Sequence, residues 1–166
     1  VAHCDVKPEN IVAGSFGEVL LLDWGLAHVR PKEGTQNTEP TEDLPRTIRS
    51  KESHQGTPQY MSPEQIAGDD LDNRTDIYSL GAILFEILTG HQLAWGDTLD
   101  EMLQNKLHKS PPSPRMVTPE RNIPAALESI CVRCTQRDPD HRIQTALKLI
   151  HELLYWLRTD TTYLPV

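Results

Sequence analysis

From Thr75 to Gly90 the chain reads Thr-Asp-Ile-Tyr-Ser-Leu-Gly-Ala-Ile-Leu-Phe-Glu-Ile-Leu-Thr-Gly, with apolar residues almost all the way round a helical wheel. A helix of that kind needs neighbours on most of its sides, so it belongs in the middle of a domain. Thr75 is placed to cap its start and Gly90 to stop it. At 166 residues, 37% of them hydrophobic, the chain is long enough for one domain with a real core. Further helices are expected around the central one. Ser62 caps a start with Pro63 at the first position and Gln65 completing a capping box, and Thr98 with Glu101 opens an amphipathic stretch to about His108. The run Ser110-Pro111-Pro112-Ser113-Pro114 ends that stretch. Pro124 opens a helix to about Gln136, and Thr145 caps one reaching about Arg158. The fold class is therefore mainly α, with one exception near the start.

That exception is a small β-hairpin. Ile11-Val12-Ala13 and Val19-Leu20-Leu21-Leu22 are apolar runs separated by a segment with two glycines. A hairpin brings its open ends together, and these ends carry Asn10 and Asp23. One amide and one carboxylate supply hard oxygen ligands too few to enclose an ion, which suits Mg²⁺ that keeps waters and leans on substrate phosphates. Asp5 precedes Asn10 on a tight loop with Pro8 between them, so a second carboxylate and Lys7 fall beside the same place.

The order His3-Cys4-Asp5-Val6-Lys7-Pro8-Glu9-Asn10, a hairpin, then Asp23-Trp24-Gly25 resembles the catalytic loop and metal-binding turn of eukaryotic-type (Hanks-type) serine/threonine protein kinases. The resemblance implies ATP and Mg²⁺ as cofactors and a protein with a Ser or Thr hydroxyl as acceptor. It makes Asp5 the base for that hydroxyl, Lys7 the residue that neutralises the transferred phosphoryl group, and Asn10 and Asp23 the metal-holding pair. Val12 would lie under the adenine ring, and His3 would support the loop. Gly56-Thr57-Pro58-Gln59-Tyr60-Met61-Ser62-Pro63-Glu64 is similar to the family's G-T-x-x-Y-x-[AS]-P-E stretch, in which Thr57 would bond to Asp5 and Lys7. Arg137-Asp138-Pro139-Asp140-His141-Arg142 is similar to the loop whose last Arg pairs with that Glu, joining Arg142 to Glu64. Asp76 has two readings. It could favour the helix dipole, worth about 0.3–1 kcal/mol when exposed, or, as in the family, accept hydrogen bonds from the catalytic-loop backbone.

The resemblance covers residues 1–158 and implies a kinase-like C-terminal lobe. Residues 1–25 would form the catalytic loop and metal hairpin, 26–64 the activation segment and 65–158 a helical subdomain, with 159–166 as a tail. Gly14-Ser15-Phe16-Gly17 invites a phosphate-loop reading, but no Ala-x-Lys strand follows it, and a turn is the better reading. The glycine-rich loop, strand Lys and helix Glu of the family are not among these residues, and the chain has no initiating Met. A fragment lacking the upper lobe, inactive by itself, is the expectation. The alternative is a pseudokinase or stand-alone lobe that binds proteins without turnover.

Residues 26–56 are poor in apolar residues, and Thr35, Thr38, Thr41, Thr47, Ser50 and Ser53 are candidate phosphorylation sites by chemistry alone. The net charge of −8 argues against a general nucleic-acid binder. No apolar run is long enough for a membrane span. Three cysteines without framework spacing suggest a reducing compartment, the cytoplasm. Cys131-x-x-Cys134 lacks the second ligand pair of a zinc site, and small semi-apolar cysteines pack well in an amphipathic helix. Cys4 stands where the family usually has the Arg that binds a phosphorylated activation loop, which puts that mode of activation in doubt. Trp24 for Phe, Tyr78 for Trp and Ser62 for Ala are mild departures. Similarly divergent loops occur among bacterial members.

Overall fold

A computed structural model describes residues 1–29, 57–93 and 95–160. The six candidate phosphorylation sites, most of the activation segment and the tail from 161 lie outside the described residues. Strands β1 (Ile11–Ala13) and β2 (Val19–Leu21) pair antiparallel, with Val12 opposite Leu20. The turn between them uses Gly17 at φ 87°, a conformation open to glycine. Among the described residues six α-helices follow: α1 (Pro63–Ala67), α2 (Asn73–Thr89), α3 (Leu99–His108), α4 (Pro114–Val117), α5 (Ala125–Cys134) and α6 (Ala146–Thr159). The described residues are thus mostly helical with one two-stranded sheet.

Helix α2 is the hub. Tyr78, Ala82 and Phe85 pack with Tyr60, Leu93 and Cys131, while Ile77 joins Leu127, Ile130, Cys134, Ile143 and Leu149 in a second cluster. Between the two, Gly81 lets α5 approach so closely that an added Cβ would lie 2.5 Å from the Cys134 Cβ. Cys131 and Cys134 are free thiols in this contact, and Cys131 Sγ donates to the Gly81 carbonyl at 3.5 Å.

Several helix ends differ from the sequence expectation. Asp72, not Thr75, caps α2 by accepting from the Arg74 amide at 2.8 Å. Thr75 lies inside the helix and donates its hydroxyl to Glu64 at 3.0 Å, so a tertiary partner took the residue that local pattern offered as a cap. Thr98 does cap α3, but Glu101 reaches back one residue further, to the Asp97 amide at 3.0 Å. The proline-rich stop after α3 contains the short helix α4, whose first residue is Pro114, a position where a missing N–H costs nothing. Ser62 and Gln65 form the complete capping box of α1, and Thr145 caps α6.

Candidate active site

The loop bearing Asp5 is fixed to the hub helix. Asp76, in the first turn of α2, accepts the His3 amide on one carboxylate oxygen at 2.8 Å and the Cys4 amide on the other at 2.9 Å. Both oxygens face the loop backbone, so Asp76 does more than favour the helix dipole. Cys4 adopts φ 65°, a left-handed conformation that side chains rarely take. Three contacts hold it there: its amide on Asp76, its carbonyl accepting from Gln65 Nε2 at 2.7 Å, and burial of its side chain. Burial pushes the Cys4 thiol up to about 12, with the Asp76 carboxylate adding to the effect, so it is no thiolate nucleophile. Buried His3 accepts the Asp5 amide on Nδ1 at 3.3 Å and therefore donates from Nε2 to the Leu22 carbonyl at 2.9 Å. It thereby ties the loop to the hairpin's second strand, with its ring edge-on to Trp24 at 4.7 Å.

The polar side chains meet at the loop's tip. Asp5 Oδ2 takes Lys7 Nζ at 2.7 Å and Asn10 Nδ2 at 3.0 Å, and the same Asn10 nitrogen also donates to the Asp5 carbonyl at 2.9 Å. A 3₁₀ turn over Pro8–Asn10 produces this folding-back, closed by the Asn10 amide on the Lys7 carbonyl. The Asn10 carbonyl accepts the Leu22 amide at 2.8 Å, so the hairpin delivers Asp23 next to Asn10. Asp23 sits at φ 60° and accepts the Gly25 amide at 3.3 Å, which opens a 3₁₀ turn over Trp24–Leu26. With its nitrogen committed to Asp5, Asn10 keeps its amide oxygen for a ligand. That oxygen and the exposed Asp23 carboxylate are hard donors, and their number fits a Mg²⁺ ion completed by phosphate oxygens and water. Val12 lies on the hairpin, 45% exposed, opposite Leu20 at 56%.

The segment from Thr57 to Glu64 borders the same place. Thr57, Tyr60 and Gln65 lie with Asp5 round a crevice too narrow to admit a water molecule. Among the described residues the Thr57 hydroxyl bonds neither Asp5 nor Lys7, unlike the expectation; those two groups are paired with each other, and Asp5 also with Asn10. Glu64 and Arg142 form a two-pronged buried pair, at 2.6 and 2.7 Å, and Arg142 also donates to the carbonyls of Arg74, Gln136 and Arg137. Burial alone would push the Glu64 carboxyl up, but the Arg142 guanidinium holds it below the usual carboxylate value.

Three further residues have contacts that the sequence reading did not assign. Tyr60 donates to Glu86 at 2.6 Å, and burial with that carboxylate pushes its phenol up. Gln65 gives its amide to a carbonyl 61 positions away, which no local pattern signals. Lys106 did leave a signal. It stands one turn from Met102 on the inward face of α3 and is fully buried.

With this geometry in place, comparison with known proteins is informative. Residues 1–154 match the protein kinase domain family, and the chain belongs to that family. It is similar to the serine/threonine-protein kinase PknD of Protochlamydia amoebophila, 35% identical over 163 residues, covering 95% of this chain and 16% of that protein. It is 31% identical over 156 residues to the serine/threonine-protein kinase PknB of Mycobacterium tuberculosis, covering 93% and 22%. PknB of Mycolicibacterium smegmatis gives 32% over 158 residues, covering 93% and 23%. The chain thus spans about a fifth of the length of these bacterial serine/threonine kinases.

Proposed function

We propose that residues 1–158 are the C-terminal lobe of a protein serine/threonine kinase that transfers the γ-phosphoryl group of ATP to a Ser or Thr hydroxyl of a protein. The observation that supports this most strongly is the linked set of Asp5, Lys7 and Asn10, delivered beside Asp23 by the hairpin and fixed to α2 through Asp76. Mg²⁺, when bound with ATP, neutralises charge on the phosphates. The chain's own residues position and move a proton. Asp5 accepts the proton of the acceptor hydroxyl, and Asn10 orients its carboxylate. Lys7, now paired with Asp5, turns to the transferred phosphoryl group. Asn10 and Asp23 hold the metal, Val12 supports the adenine, and Thr57 steadies Asp5 and Lys7 once an acceptor is present. His3, Asp76, Glu64 and Arg142 hold the loop and the segment against the helices. No helix of the described residues is long and apolar enough to cross a membrane. Buried free thiols at Cys4, Cys131 and Cys134 suit a reducing compartment such as the cytoplasm.

The test uses the full-length protein that carries this chain. Asp5→Asn should lower transfer on the order of 10²–10⁴-fold, the usual contribution of a positioned base, and leave ATP binding in place. Unchanged transfer in Asp5→Asn would remove Asp5 from the mechanism, and no transfer by the wild type would favour a protein-binding module without turnover.

A further inference from the structure

A fully buried lysine is rare unless it is paired. Lys106 on α3 is 1% exposed, and among the described residues no carboxylate pairs with it. Its Nζ donates to the Gln59 carbonyl at 2.6 Å and to the Met61 carbonyl at 3.0 Å, and lies 5.3 Å from the centre of the Tyr78 ring. The carbonyl between those two, on Tyr60, accepts from Ser79 Oγ of α2 at 2.9 Å. Three consecutive backbone carbonyls are therefore held by side chains of α2 and α3. Gln59 Oε1 and the Tyr78 hydroxyl, on two of the residues that touch Lys106, are buried without a partner among the described residues. The ammonium sits in a pocket of acceptors and an aromatic face.

We infer that Lys106 is a positioning residue for the protein acceptor: from α3 it fixes Gln59 and Met61, and so sets how well the acceptor, as distinct from ATP, is held beside Asp5. This rests on the kinase reading above. The tethered carbonyls flank Tyr60, which lies round the same crevice as Asp5 and Thr57, while among the described residues the hydrogen bonds of Lys106 go to Gln59 and Met61 and none to the hairpin end that would meet the nucleotide. Loosening residues 59–61 thus weakens one substrate and spares the other.

The tether also depends on pH. Burial pulls the Lys106 ammonium down to about 7. Apart from the Tyr78 phenol, the ionisable groups on the elements around it are engaged with other partners. From α2 comes the Tyr78 phenol, pushed up by burial, and from α1 comes Glu64, whose two oxygens are taken by Arg142. The segment itself brings Tyr60, turned to Glu86. From the 137–142 loop come Arg142, 5.0 Å from the same Tyr78 ring, and Arg137, bonded to the Leu107 carbonyl. As pH rises past about 7, Lys106 loses its charge, its charge-assisted hydrogen bonds weaken, and the segment slackens.

The experiment compares the full-length wild type with Lys106→Met, which keeps the stem and removes the charge. KM is measured for a protein acceptor and for ATP, and amide hydrogen exchange is followed in residues 59–62 against α2. The expected result is about a tenfold rise in acceptor KM, a loss of about 1.4 kcal/mol, with ATP KM within about twofold. The wild-type acceptor KM should climb toward the variant's between about pH 6 and 8 while the variant's stays level. Amides 59–62 should exchange faster in the variant, and in the wild type should lose protection relative to α2 as pH rises. Acceptor and ATP KM moving together or not at all, or parallel pH profiles, would overturn the inference. If α2 itself loses protection in the variant, that variant has not folded and the wild-type exchange profile decides: protection of 59–62 that tracks α2 from about pH 6 to 8 overturns it. Absence of transfer by the wild type removes the kinase reading and its acceptor, whereas the exchange profile separately reports whether Lys106 holds the segment.

Discussion

The Glu64–Arg142 pair joins the end of the 57–64 segment to the loop before α6, and its energetics are those of ions taken out of water. Such a pair adds little over an apolar replacement, yet removing one partner leaves a buried charge exposed to nothing, at a cost of about 3–5 kcal/mol. Glu64→Gln should therefore lower the stability of the protein by that order near neutral pH, read from the urea midpoint. The pH dependence has a definite sign. Because the Glu64 carboxyl is held below its ordinary value of 4.5, its contribution is fully present above that value and is lost as pH falls through the lowered one. Wild type and Glu64→Gln should converge on acidification. A gap that stays constant down to about pH 3 would show that the pair does not set the acid limit.

Among the elements, α2 and the hairpin were legible for different reasons. The unbroken apolar surface of Thr75–Gly90 announces a central helix, and two apolar runs around glycines announce a hairpin, because both signals are local and periodic. The register, which places Asn10 beside Asp23, follows from that alone. Of the contacts between residues far apart, the resemblance supplied Glu64 with Arg142 and Asp76 with the loop backbone, whereas local pattern carried none of Gln65 on Cys4, Tyr60 on Glu86, Thr75 on Glu64 or Lys106 on Gln59 and Met61. The α2 cap was misplaced for the same reason, since Thr75 is a good cap until Glu64 claims it. Gly81 shows a similar limit. In sequence it is a weak point in a helix, whereas in the fold it is the contact surface for α5. Gly81→Ala would gain about 1 kcal/mol in helix propensity, but its methyl would meet the Cys134 Cβ at 2.5 Å and the Thr135 Cγ2 at 2.8 Å. Overpacking of a rigid contact costs about 1–3 kcal/mol, so the variant should be the less stable one, with a lower urea midpoint at an unchanged slope. A raised midpoint would mean that α5 does not approach α2 this closely.

At the scale of the described residues, the polar groups of the loop tip lie beside an exposed apolar hairpin. The loop tip is polar and well braced, but the hairpin beside it leaves Val12, Leu20, Leu22 and Trp24 exposed, the last at 55%, on and beside two paired strands. Apolar surface grouped in this way marks a place where something else docks. A pocket that binds a small molecule well covers about 70–90% of it, and among the described residues the hairpin would offer an adenine a single wall. The proposed roles of Asp5 and Lys7 toward the acceptor are thus compatible with poor hold on nucleotide. Purified residues 1–166 should bind ATP with a Kd above about 1 mM, near 4 kcal/mol of binding free energy, and transfer no phosphate to an added protein, while the full-length protein does both. Calorimetric titration with Mg-ATP and a labelled-phosphate transfer assay on the two proteins would check this side by side. Tight binding or robust transfer by residues 1–166 would show that the hairpin and loop complete the nucleotide site by themselves, and that the apolar face of the hairpin serves some other contact.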